Sequence, residues 1–172
     1  MPISTTSNHK RQPAAVSESL ALDSISFFIG RAYYNYVGLL ERGLAESGLD
    51  KHVSPGMGHV LFALFDEDGR IIKDLAAQVK LSYSTMTGLL ARMERAGLIE
   101  CRKDPDDGRA IRVKLTPLAR SIEARCFNLL KEVNGVMEAD MNADEIRTLK
   151  ELLSRMIETM RKADEEAKEK RK

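Results

Sequence analysis

Ser84, Thr85 and Thr87 crowd one short stretch, SYSTMTGLLARMERAGL, and Arg92 follows within the same run. Hydroxyls projected from the first turns of a helix can bond base edges or phosphate oxygens, and the amides of such a terminus favour anions. Some fifteen residues further on, DPDDGRAIRVKL places Arg109 just past a turn-forming cluster, with Asp107 two residues earlier to hold either the guanidinium or the loop. An arginine there can enter a minor groove, where negative potential concentrates. Arg102, Lys103 and Arg112 flank the same turn and suit phosphate, a contact that adds affinity without specificity. Lys73 is a further phosphate candidate. Catalysis finds no such support: the chain shows no nucleophile beside a base, no paired loop carboxylates and no glycine-rich phosphate loop. The chain is therefore not expected to be an enzyme or to need a cofactor.

These residues need a scaffold, and the flanking pattern supplies one. Ile72 to Val79 reads as a short helix with Leu75, Ala76 and Val79 inward, and Lys80-Leu81 breaks it. Ser82 can cap the next helix, whose core face is Met86, Leu89, Leu90 and Met93 and which Gly97 stops. Two helices crossing over so short a turn need a small residue between them, and Ala76 is placed for that. Leu98 to Lys103 and Ala110 to Leu115 read as antiparallel strands around the DPDDG turn, with Ile111, Val113 and Leu115 on one face. The order is that of a winged helix-turn-helix, which lays one helix in the major groove of duplex DNA with a basic hairpin beside it.

Long helices surround this centre. Residues 1–19, rich in Ser, Thr, Pro and Ala, read as an unstructured arm carrying Lys10 and Arg11. Residues 20–53 hold a long amphipathic helix with Ile25, Phe28, Ile29, Ala32, Tyr36, Leu40 and Leu44 on one stripe, stopped near Gly48. Residues 54–116 form the DNA-binding unit, opening on Ser54 as cap and Pro55 at the first helical position, with Met57, Val60, Leu61, Leu64 and Phe65 buried. Residues 117–172 carry two more helices. The first begins at Thr116-Pro117 and runs through Ala119, Ile122, Cys126, Leu129, Leu130, Val133 and Met137. The second opens on Asn142 with Glu145 as its capping partner and carries Ile146, Leu149, Leu152, Leu153, Met156, Ile157 and Met160. The terminal EEAKEKRK is expected to fray. The fold class is thus mainly α with a small β-hairpin wing, a winged helix-turn-helix core flanked by long N- and C-terminal dimerisation helices. A centre of some sixty residues can hardly cover such stripes, so a homodimer with interleaved terminal helices is expected.

Composition sets the outer bounds. With 172 residues, 43% hydrophobic and no Trp, the chain can build an aliphatic, methionine-containing core. Its net charge of only +1 excludes a wholesale polycation, so a nucleic-acid face has to be local. It is: basic residues outnumber acidic ones between Gly69 and Thr116, while acidic residues slightly outnumber basic ones from Glu138 onward. Cys101 and Cys126 form no CxxC pair, and the three histidines are scattered, so no disulfide framework or metal site is expected. No signal peptide or membrane span is evident, which makes the cytoplasm the expected compartment.

The run LSYSTMTGLLARMERAGLI followed by DPDDGRAIRVKLT resembles the MarR family of bacterial transcription regulators. The matching parts are Thr85-Met86-Thr87, Arg92-Met93-Glu94, the Gly97 stop, the Asp107-x-Arg109 wing and the closing Leu115-Thr116. The likeness extends over about Leu20 to Met160. One departure is Gly88, where some members carry Arg and others Gly. The resemblance implies a homodimer on a pseudo-palindromic operator in double-stranded DNA, repressing nearby genes, with the first, fifth and sixth helices forming the interface. It also implies release by a small anionic or aromatic effector in a cleft between the dimer and DNA-binding parts. Tyr33, Tyr36, His52, Met57 and His59 stand near that cleft. Other members respond to oxidation of a cysteine near the start of the first helix, where this chain has none. Cys126 lies on an apolar stripe, and Cys101 sits on a strand beside Arg102 and Lys103. The competing reading is a winged-helix protein-interaction module without sequence-specific DNA binding.

Overall fold

In the computed structural model, residues 22–170 are described, and they form six α-helices and one two-stranded antiparallel sheet. Residues of the expected N-terminal arm, with Lys10 and Arg11, lie outside the described residues.

Helix α1 spans Ile25–Glu46. Ser24 caps it: its hydroxyl accepts the N–H of Phe27 at 3.2 Å. Gly48, at φ +65°, ends it, and the N–H groups of Leu49 and Asp50 return to the carbonyl of Leu44. A 3-10 turn at Pro55–Met57 then leads into α2, Gly58–Asp66. Pro55 holds the first position as expected. The hydroxyl of Ser54 does not cap, contrary to expectation; its carbonyl accepts the N–H of Met57 at 2.9 Å instead. Tight 3-10 geometry turns the backbone back on itself and leaves the side chain no amide to receive.

Helices α3 (Ile72–Gln78) and α4 (Tyr83–Arg95) are joined by Lys80 at φ +55° and by the N–H of Leu81 donating to Ala76. Ala76 is buried in that corner. Strands β1 (Ile99–Lys103) and β2 (Ile111–Leu115) pair with Cys101 opposite Val113 and Arg102 opposite Arg112. The sheet has an addition that the sequence pattern did not show. Ile71 bridges Arg112, and the N–H of Val113 donates to the Arg70 carbonyl at 2.8 Å. The chain entering α3 is thus tied to the wing by one β-bridge.

Helix α5 (Pro117–Glu138) starts from Thr116, whose hydroxyl accepts the N–H of Ala119 and donates to Gly97. Helix α6 (Ala143–Glu169) opens on the expected capping box of Asn142 and Glu145. It continues through Glu169, so most of the expected frayed end is helical. Pairs of Lys168 with Asp164, and of Arg161 with Glu158 and Glu165, lie three or four residues apart and favour the helix.

The core draws on α2, α3, α4, the wing and α5, with Val60, Leu64, Leu75, Met86, Met93, Leu98, Val113 and Ile122 buried. Only Leu44 of α1 is buried, and no residue of α6 is. The first half of α1 and the stripe of α6 turn their apolar residues outward: Ile25, Phe28, Tyr33, Leu152, Ile157 and Met160 are all exposed by half or more.

Asp68 ties three elements together. Its Oδ1 accepts the N–H groups of Gly69 at 2.8 Å and Leu115 at 2.9 Å, and its Oδ2 accepts the Arg120 guanidinium at 3.1 Å. The turn before α3, the last residue of β2 and the first turn of α5 therefore converge on one carboxylate. Asp68→Ala leaves all three donors without it and is expected to cost about 1–3 kcal/mol. Urea unfolding checks this, with a lowered midpoint at constant slope.

Candidate nucleic-acid interface

Burial divides α4 into two faces. Met86, Leu89, Leu90 and Met93 are buried, while Ser84, Gly88, Ala91, Arg92 and Arg95 are exposed. The 3.6-residue repeat makes this inevitable once the apolar residues face inward. At the N-terminus the Ser82 hydroxyl accepts the N–H of Thr85 at 3.2 Å. It also bonds the hydroxyls of Ser84 and Thr85, at 3.1 and 2.8 Å. Thr87 is half-buried, and its hydroxyl donates back to the Ser84 carbonyl at 3.0 Å. Ser84 and Thr85 thus form an exposed hydroxyl cluster at the positive end of the helix, and Thr87 stands closer to the wall. Tyr83 opens the helix and is 61% exposed, a large surface aromatic beside these hydroxyls.

Glu94 fixes α4 against the wing, because its carboxylate accepts the N–H of Cys101 at 3.1 Å. The wing tip is organised by Asp104, which is 6% exposed. Its Oδ1 accepts the N–H groups of Asp106 (2.8 Å) and Asp107 (3.0 Å). Its Oδ2 takes the Arg112 guanidinium, whose Nη1 reaches on to the Gly69 carbonyl at 2.7 Å. Asp107 supports the loop and not the guanidinium: its Oδ1 accepts the backbone N–H of Arg109 at 2.9 Å. Arg109 itself is exposed.

The candidate cations of α4 and the wing are therefore of two kinds. Arg112 is only half exposed and is engaged inside the wing, and Arg102 pairs with Glu100. Arg92, Lys103 and Arg109 are exposed and make no ion pair or side-chain hydrogen bond among the described residues. Asp68, Glu94 and the Asp104–Arg112 pair escape a reading of the sequence because they act over seven to fifty-two residues of chain, where no local spacing marks them.

The backbone amides of Asp107 and Asp106, and the Arg112 guanidinium, hold the Asp104 carboxyl below the usual carboxylate range. A carboxyl lowered by folding stabilises the folded chain fully above its unfolded value of about 3.9, and that contribution disappears as pH falls through the folded value. The Asp106 and Asp107 amide resonances are thus expected to hold steady from neutral pH to about 5 and to move only near or below pH 4. Movement centred above the ordinary aspartate value would contradict this origin.

The second concave feature is an apolar cavity of about 90 Å³ where α1, α2 and α5 meet. Tyr36, Leu44, His59, Phe62, Cys126 and Leu129 are among its walls. Of the residues expected near a ligand cleft, Tyr36 and His59 line it. Met57 is buried in the core, Tyr33 is turned to the outside of α1, and His52 is half-buried away from the cavity lining. Burial pushes the Cys126 thiol above its ordinary value, and burial together with the Glu94 carboxylate does the same for Cys101. Neither has the depressed pKa of a reactive thiolate. Among the described residues no group of His, Cys, Asp and Glu is placed to hold a metal, and no helix is long and apolar enough to cross a membrane.

Comparison with known proteins places this architecture. The MarR family profile matches residues 53–111, the stretch from before α2 to the first residue of β2. The transcriptional regulator MgrA of Staphylococcus aureus is 30% identical over 111 residues, covering 64% of this chain and 71% of MgrA. The chain belongs to the MarR family. Another member, the regulator SarZ of Staphylococcus saprophyticus, is 35% identical over 98 residues, 57% of this chain and 66% of SarZ, just under two thirds of its length. Among solved structures, the PcaV transcriptional regulator of Streptomyces coelicolor in complex with its natural ligand superposes with a TM-score of 0.70 at 25% identity, over 81% of this chain and 94% of that one. These MarR-family relatives are transcription regulators and not enzymes.

Proposed function

We propose that this MarR-family chain is a homodimeric repressor that binds a pseudo-palindromic operator and leaves it when a small effector enters the cavity beneath α1. The observation that carries the DNA-binding part is the two-faced α4. Its inner side is consumed by the core, and its outer side presents hydroxyls at the start and Arg92 and Arg95 at the end. Such a helix enters the major groove, with Ser84, Thr85 and Thr87 at its leading end and Arg92 behind them. Arg109 reaches the neighbouring minor groove, and Lys103 and Arg102 touch backbone phosphate. Arg112 shapes the wing and contributes charge only through its exposed edge.

The outward stripes of α1 and α6 support the dimer, because a monomer would leave them in water. Two copies related by a twofold axis present two α4 helices about one helical turn apart, ~10 base pairs centre to centre. The effector reading rests on the cavity and on PcaV, which is known with its natural ligand bound. The cavity walls are apolar apart from Tyr36, His59 and a few small groups, which favours a largely apolar effector with His59 available to an anionic substituent, and the space of about 90 Å³ has to widen to admit it.

Selection of the full chain against random duplex DNA at near-physiological salt tests this function. Recovery of an inverted repeat with that spacing is expected, with log affinity falling steeply against log salt at about −0.9 per phosphate contacted. Folded protein that enriches no motif and shows no salt dependence would instead point to a protein-interaction module.

A further inference from the structure

The middle of the outer face of α4 is bare. Gly88 and Ala91 are exposed there, and a Cβ built at Gly88 meets nothing within 4 Å. Glycine is poorly suited to a helix interior, so an exposed one with free space around it calls for a reason outside its own chain. Elsewhere in the helices the reasons can be found. Gly43 faces Leu129, and Gly58 faces Phe62. Gly30, Gly38 and Gly135 are open too, but they lie on α1 and α5, where a second copy can approach. Gly88 stands alone on the face turned to DNA.

We infer that Gly88 and Ala91 form a shallow apolar recess that accepts the C5 methyl of a pyrimidine, thymine in unmodified DNA, at one position of each half-site. This rests on the DNA-binding reading above and adds a base preference to it. The recess offers only Cα–H and a methyl group. It can bond neither O6 and N7 of guanine nor the amino groups of cytosine and adenine, whereas alanine-type contact matches the thymine methyl. The flanking polar side chains, Ser84 before and Arg92 after, hold the helix over the base pairs on either side. A side chain at position 88 would occupy the space that the methyl takes in this docking.

The experiment uses the full-length dimer and its selected operator. Each thymine of the half-site is replaced in both halves by deoxyuridine, which removes only the methyl group. At one position the affinity is expected to fall about fourfold per half-site, and 5-methylcytosine there should bind more tightly than cytosine. Gly88→Ala is measured alongside. Its melting temperature should rise by about 2–4 °C, since alanine favours the helix, while the ratio of operator affinity to random-duplex affinity drops at least about tenfold. Indifference to every methyl, or a Gly88→Ala protein that binds the operator as wild type does, overturns the inference and leaves the DNA-binding reading standing. Failure of the wild-type chain to bind any duplex at low salt overturns both.

Discussion

Replacing Leu152 and Ile157 together with glutamate is expected to yield a folded monomer whose operator affinity is about 10²–10⁴-fold weaker. Both side chains are about half exposed on α6, which buries no residue of its own in the described chain. The double change therefore removes no packing from the winged core, and the circular dichroism of that core should persist. What it does is put two charges on an apolar stripe that a second copy would have to desolvate. Loss of dimerisation turns one bivalent engagement into two independent ones, and the penalty is the lost effective concentration of the second half-site. Sedimentation equilibrium reads the first effect and fluorescence anisotropy the second. A double variant that remains dimeric would move the interface away from α6.

Arg109→Ala is expected to weaken operator binding by about 10- to 100-fold, equivalent to ~1–3 kcal/mol, while unfolding stability changes by less than ~0.5 kcal/mol. The separation of the two effects follows from the geometry. The Arg109 backbone is held by Asp107, and the side chain makes no intrachain bond among the described residues. Arg112→Ala is the informative contrast. It leaves Oδ2 of the buried Asp104 and the Gly69 carbonyl without the guanidinium, so it should lower stability as well as affinity. If Arg109 meets phosphate, the salt slope falls by about one; if it reads a narrow minor groove, the selected sequence at the flanks also loses its preference. Unchanged affinity in the Arg109 variant would remove the wing from the interface.

Much of this architecture was legible from local pattern. Helix caps at Ser82, Thr116 and Asn142, the stops at Gly48 and Gly97, and the split faces of α4 all depend on residues within one or two turns of each other. What local pattern could not show was pairing across long stretches. Arg112 looks like any surface cation between two strand residues, yet Asp104 and Gly69, eight and forty-three residues away, take its guanidinium. Asp68 looks like turn chemistry and serves as a junction of three elements. Position along the chain places the cavity candidates near the junction of the first two helices, but it does not say which way a side chain turns. Hence Tyr36 and His59 face the cavity and Tyr33, His52 and Met57 do not. The end of α6 departs from expectation for a related reason: its composition suggests fraying, but its charges alternate at the interval that reinforces a helix.

The bonds that shape the wing tip are short-range. Asp104 receives the amides two and three residues ahead, and Asp107 receives the one two residues ahead. The ordering entropy of the tip is consequently met when the chain folds and not when it encounters its ligand. Docking of such a wing is a rigid-body event. Association should approach the rate set by diffusion and charge steering, without a slow coupled-folding phase, and differences between target sequences should surface chiefly as differences in residence time.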